Sequence, residues 1–143
     1  MNFLEATKTV VGSTVTSAAG TATLTVDTLG YAYASVDVLV ATSATPANTA
    51  ASILNVLTLT QGETTSAVTS SVYTVSAPAA SVAVTNQPSV VRFDVDLRGK
   101  SRYLKVDATP ASSLATTIVC RLGKGAEGPE SASAKGVLAK YSG

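Results

Sequence analysis

The stretch Val90–Pro110, VVRFDVDLRGKSRYLKVDATP, gathers Arg92, Arg98, Lys100, Arg102 and Lys105 with Asp94, Asp96 and Asp107 in a chain otherwise poor in charge. Two chemistries suit such residues. Asp94 and Asp96 fall on one face of an extended segment and could act as a carboxylate pair or hold a cation. Arg98, Lys100 and Arg102, clustered around Gly99, could grip an acidic partner surface. The carboxylate pair is the weaker of the two. A calcium loop gathers many oxygens around a tight turn, whereas these two aspartates sit on a flat strand beside Lys and Arg, with nothing to supply a catalytic pocket. No metal, cofactor or catalytic residue is expected.

The elements that would position these charges follow from alternation. Read as a strand, VRFDVDLR sends Val91, Phe93, Val95 and Leu97 inward and Arg92, Asp94, Asp96 and Arg98 outward. In the following strand Leu104 and Val106 point inward, and Tyr103, Lys105 and Asp107 outward. A hairpin with a two-residue loop at Gly99–Lys100 keeps that division and sets Asp94 opposite Lys105 and Arg92 opposite Asp107. Glycine at the first loop position also suits a type II′ turn. A four-residue loop opposes Asp94 to Asp107, and a three-residue loop mixes the two faces. The hairpin makes most charges cross-strand partners, worth about 0.2–1 kcal/mol per pair. It leaves Arg98, Lys100 and Arg102 at the tip as candidate contacts, with Arg102 on the inward side near the sheet's end.

Other residues narrow the chemistry further. The chain has no histidine, which removes the usual proton shuttle, the Ser-His triads and the common zinc sites. Cys120 lies in TTIVCRL, where Ile118, Cys120 and Leu122 alternate inward, so it reads as a small buried hydrophobe. Tyr31 and Tyr33 share a strand face and could stack on a sugar, although without tryptophan the platform is thin. GKGAEG, residues 123–128, lacks the Lys-Ser/Thr ending of a phosphate loop and reads as a hinge.

Period-2 alternation runs through most of the chain. TATLTVD, YAYASVDVLV, VVRFDVDL, RYLKVDA and TTIVCRL are the clearest strands, with ILNVLTLTQG, VYTV and SVAVTN as further candidates. The alternation blurs near Asn55, as at a bulge or a strand buried on both faces. Pro- and Ser-rich connectors such as TSATPANTAAS and SAPAAS separate them. About eight or nine short strands without a helical period predict an all-β, single antiparallel sandwich over residues 1–122. No internal repeat is seen, which argues against a solenoid or propeller. Residues 123–143 lose the alternation and read as a C-terminal tail or docking arm.

The 143 residues make one domain. Charged residues are 13% of the chain and the net charge is +1, so there is no electrostatic footprint for nucleic acid or an anionic membrane. No apolar run approaches the roughly 18 residues of a membrane span, and the first twenty residues lack signal-peptide character. A Thr/Ala/Val-rich surface so short of charge is poorly defended against association, as suits life inside an assembly.

The run VVRFDVDLRGKSRYLKVDATP followed by TTIVCRLGKG resembles the C-terminal part of small structural proteins of tailed phages, the capsid decoration or cement proteins. The pattern is Asp96 to Gly99, the basic Lys100, Arg102 to Val106, and the Thr109-Pro110 turn. The earlier GYAYASVDVLVATSAT is similar to a strand of the same family. The resemblance covers about half the chain and leaves out the tail. It implies a jelly-roll-like, non-enzymatic virion protein on the outer surface of the capsid, bound to the major capsid protein as a homo-oligomer, a trimer being typical. Arg98, Lys100 and Arg102 are then the candidate capsid contacts. A tail, neck or head-fibre component, or a glycan-binding adhesin-like module, is the alternative.

Overall fold

The computed structural model describes residues 7–41, 53–73, 88–111 and 113–125. Eight strands lie within them: β1 (Lys8–Val15), β2 (Ala22–Asp27), β3 (Tyr33–Val40), β4 (Leu54–Gly62), β5 (Ser70–Tyr73), β6 (Ser89–Asp96), β7 (Tyr103–Pro110) and β8 (Thr116–Gly123). They form two antiparallel sheets, in the orders β1-β8-β3-β6 and β2-β7-β4-β5. The chain is all-β, and the sheets share one core, as in a sandwich. Among the described residues no helix is long and apolar enough to cross a membrane.

The strand order has an internal logic. The pairs β1–β8, β2–β7, β3–β6 and β4–β5 nest one inside the next. Wrapping that ribbon adds the contacts β3–β8 and β4–β7. Nesting of this kind wraps one long antiparallel ribbon into two packed sheets. Adding four to the numbers of β1–β4 and subtracting four from those of β5–β8 turns one sheet's order into the other's, so the halves β1–β4 and β5–β8 are topologically equivalent.

The core is built by the alternation read from the sequence. Leu24 and Val26, Val36 and Val38, Phe93 and Val95, Leu104 and Val106, and Ile118, Cys120 and Leu122 are all buried. Most of their outward neighbours are Thr, Ser, Asp, Lys and Arg, whose polar ends stay in water, while Leu39 and Val119 are outward and apolar. In β4 the register slips between Leu54 and Val56. Asn55 is therefore a bulge, which returns Leu57 and Leu59 to the core.

The predicted hairpin is not formed. β6 pairs with β3, and β7 pairs with β2 and β4, so the two strands lie in different sheets. Phe93 and Val95 belong to one wall of the core, and Leu104 and Val106 to the other. Gly99 is also not the first residue of a II′ turn. The Lys100 amide donates to the Leu97 carbonyl at 3.0 Å, placing Gly99, at φ 77°, third in the turn. A positive φ at that position is what a type II turn requires.

β1 is a strand that the sequence reading missed. Its alternation is interrupted at Gly12, where an added Cβ would lie 2.8 Å from the Thr23 carbonyl oxygen and 2.9 Å from Leu24 Cβ. Only glycine lets β1 pass this close to β2. Ser13 then seals the seam: its Oγ accepts from the Thr23 amide at 3.0 Å and donates to the Thr23 carbonyl at 3.3 Å. On the opposite side, Tyr73 of β5 stacks on Phe93 of β6 with ring centroids 6.3 Å apart. The predicted strand SVAVTN and most of the predicted tail lie outside the described residues.

Candidate functional site at the crossover end

Two connections cross between the sheets at one end of the sandwich, β2 to β3 and β6 to β7. They are built alike. Val26-Asp27 and Val95-Asp96 end the incoming strands. Gly30 and Gly99 follow three residues after each Asp, with φ of 86° and 77°. The Asp27 carboxylate accepts from the Leu29 amide at 3.1 Å, and that of Asp96 from the Arg98 amide at 3.0 Å. Each outgoing strand then carries Tyr-x-x-Val-Asp, at Tyr33–Asp37 and Tyr103–Asp107. This short motif, Val-Asp-x-x-Gly then Tyr-x-x-Val-Asp, occurs twice in the sequence. One extra residue in the second copy hides the repeat from a search at fixed period.

The crossovers are tied to each other. Thr28 donates through both its amide (2.9 Å) and its hydroxyl (2.6 Å) to the Arg102 carbonyl. The Leu97 amide donates to the Ala32 carbonyl at 2.9 Å. Arg102 points outward rather than inward and meets Asp27 in a two-pronged contact, Nε to Oδ1 at 3.0 Å and Nη2 to Oδ2 at 2.7 Å. Its guanidinium also lies 5.1 Å from the Tyr103 ring centroid. Arg98 folds back on Asp96, Nε to Oδ1 at 2.9 Å, and sits 5.5 Å from the Tyr33 ring centroid, with Lys124 at 5.3 Å from the same ring.

The three candidate contacts thus differ in availability. Arg98 and Arg102 hold the crossovers in shape. Lys100 is exposed, and its ammonium makes no ion pair or hydrogen bond among the described residues. The expected pairs Asp94–Lys105 and Arg92–Asp107 are replaced. Arg92 grips Asp37, its register partner on β3, with Nε–Oδ1 at 2.6 Å and Nη2–Oδ2 at 2.9 Å. Lys105 meets Asp107 at 3.0 Å on its own strand. Asp107 also accepts from the Thr23 hydroxyl at 2.7 Å.

The tyrosine pair does not form a platform. Tyr31 precedes β3 and packs against the core, where burial pushes its hydroxyl pKa up, while Tyr33 stands outside beneath two cations. Cys120 is fully buried, and desolvation pushes its thiol up to about 12, followed by a smaller effect of Asp37. It is therefore an unreactive thiol in the folded chain. Among the described residues no three His, Cys, Asp or Glu converge as a metal site.

Beside the crossovers, on the outer face of the β1 sheet, lies an open groove of about 480 Å³. Tyr33, Ser35, Asp94, Arg121 and Gly123 line it. Farther along the same face the surface turns apolar. Leu39 and Val90 are directly opposed across β3 and β6, as are Val11 and Val119 across β1 and β8. Val11, Leu39 and Val90 are 57%, 39% and 55% exposed.

The arginine partners make the fold acid-sensitive in a defined window. Arg102 and Arg92 hold Asp27 and Asp37 below the usual carboxylate range, and Arg98 draws Asp96 down to about 2. A carboxylate depressed by folding stabilises fully above its unfolded pKa of about 3.9 and stops doing so as pH falls through the folded value. The melting temperature is expected to be flat from about pH 7 to 4 and to fall between about 4 and 2. Arg102→Gln should reduce that fall. A decline already complete by pH 5 would contradict the assignment.

No family model, curated protein or solved structure matches the chain.

Proposed function

We propose that this chain is a non-enzymatic capsid decoration protein, which binds the outside of a phage head and reinforces it. The observation that carries the reading is the outer face of the β1 sheet. Val11, Leu39 and Val90 stand exposed there in a chain with 13% charged residues. The pairs Val11–Val119 and Leu39–Val90 are diagonal neighbours across β8 and β3, with Asp37 opposite Val119 and Thr117 opposite Leu39. Apolar side chains gathered this closely on a polar face suit an interaction site, and a low-charge surface suits burial against neighbours. The nested sandwich and the run from Val90 to Pro110 agree with the resemblance to cement proteins. The proposed partner is the major capsid protein, and the location is the outer surface of the virion. Copies associate with closed symmetry, a trimer being what the resemblance brings.

Binding places the apolar face against the shell. Lys100 is the cation at the crossover tip that remains available to an acidic neighbour. Reinforcement follows by mass action: a ligand that binds only the expanded shell stabilises that state.

The test is co-sedimentation of the purified chain with expanded, undecorated heads as the chain is titrated. Saturation at a fixed ratio to the major capsid protein is expected, and that ratio distinguishes capsomer centres from the junctions between them. Heads that take up other ligands but none of this chain would remove the proposal, in favour of a tail, neck or fibre role.

A further inference from the structure

The groove on the β1 sheet is chemically unlike the rest of that face. Ser35 on β3 forms its floor and is the register partner of Asp94 on β6 and of Arg121 on β8. One strand separates the two charged walls, so their Cα atoms lie about 10 Å apart. Asp94 is exposed on one wall and Arg121 on the other. No hydrogen bond joins the side chains of Ser35, Asp94 or Arg121 to another described residue. Along the same face other charges are paired, Arg92 with Asp37 and Arg98 with Asp96. The groove thus presents a carboxylate, a guanidinium and a hydroxyl between them, none hydrogen-bonded among the described residues, with Arg121 and Asp94 acting on Asp37 and Arg92 only through space.

Its depth comes from glycine. Gly123 on β8 is the register partner of Tyr33, and a Cβ built there meets nothing within 4 Å. A side chain at this position would fill the groove without touching the fold. The volume, about 480 Å³, falls within the range of about 300–1,000 Å³ typical of small-molecule sites.

We propose that this groove is a binding site for a neutral saccharide. Walls of opposite sign oppose any ligand of one charge: an anion drawn to Arg121 meets Asp94, and a cation drawn to Asp94 meets Arg121 and Lys124. A zwitterion would match both walls, but exposed ion pairs contribute little net affinity because both ions are already well hydrated. Sugar hydroxyls donate to a carboxylate and accept from a guanidinium in one molecule, without stripping water from a second pair of charges. The low floor at Ser35 and Gly123 leaves room for the flat side of a pyranose ring. Tyr33 bounds the site and does not stack, since Arg98 and Lys124 already lie over its ring. The groove shares the outer face of the β1 sheet with the proposed capsid contact, at the crossover end of that face, so the proposal concerns the free chain and is tested on it.

Amide chemical shifts of the intact chain, followed by ¹⁵N–¹H correlation spectra, test it. Lactose and cellobiose are titrated in separate series beside glutamate and 6-aminohexanoate. Saturable shifts at Ser35, Arg121 and Gly123 are expected with at least one sugar. Gly123→Leu should weaken that binding about tenfold or more, Arg121→Gln should weaken it with the groove left open, and Lys100→Ser should leave it unchanged. Three results would overturn the proposal: no saturable shift with either sugar, sugar shifts that persist in Gly123→Leu, or tighter binding of an ionic probe at the same amides.

Discussion

A chain carrying Leu39→Lys together with Val90→Glu is expected to fold as the parent does and to bind expanded heads about thirty- to several-hundred-fold more weakly. The two positions are register partners on β3 and β6, so the new charges oppose each other across the strands as a favourable pair, worth about 0.2–1 kcal/mol. Both side chains are exposed in the free chain, so the core loses nothing. At the capsid the variant loses the burial of two aliphatic side chains, about 2–4 kcal/mol together at the usual transfer value for partly exposed groups. Circular dichroism establishes the fold, and the co-sedimentation midpoint gives the loss. Unchanged co-sedimentation by a folded variant would move the contact elsewhere. Lys100→Glu, read at two salt concentrations, then tests the crossover tip, because a screened contact weakens as salt rises. Arg98 and Arg102 are poor probes of that tip, since their removal also releases Asp96 and Asp27.

Gly62→Ala is expected to destabilise the fold by about 3 kcal/mol or more, at or beyond the upper end of ordinary overpacking. Gly62 ends β4, and the chain from Glu63 to Thr69 folds back over it. A Cβ there would overlap the Ala67 carbonyl oxygen and lie 2.7 Å from Val68 Cα. Both neighbours are backbone, so no rotamer change relieves the clash. Pushing the loop away would expose Val68, which is buried, and lengthen the 3.1 Å hydrogen bond from the Thr60 hydroxyl to the Val68 carbonyl. A fall in melting temperature of roughly 10 °C follows. Gly123→Ala is the control, expected within about 0.5 kcal/mol of the parent because its Cβ enters open space. Equal stability of the two variants would mean that the 63–69 loop yields without cost.

The proposed capsid function draws on the resemblance in the sequence and on the exposed apolar face. One rests on the pattern of residues 90–110, the other on side chains from β1, β3, β6 and β8 that are distant in sequence. Val11, Leu39, Val90 and Val119 share no motif. Only the register of four strands places them together.

What the sequence by itself determined was which face of each strand turns inward. Leu24, Val36, Val95 and Val106 alternate with polar neighbours, and a period of two depends only on the local chain and on the presence of a core. The inward Cys120 follows from the same rule, as does the all-β class, while near Asn55 the broken alternation left a bulge and a strand buried on both faces open, and the register of β4 on β7 decided for the bulge. Which strand lies beside which was decided by the tertiary structure alone. The outward charges of β6 fit β7 in a hairpin as well as they fit β3, because alternation says where a side chain points and not what stands next to it. The contact of Arg102 with Asp27 joins residues 75 positions apart, and the nesting of β1 with β8 joins the two ends of the domain. Both depend on closing the whole sandwich, where the gain comes from burying both sheets at once rather than from any one pair of neighbouring strands.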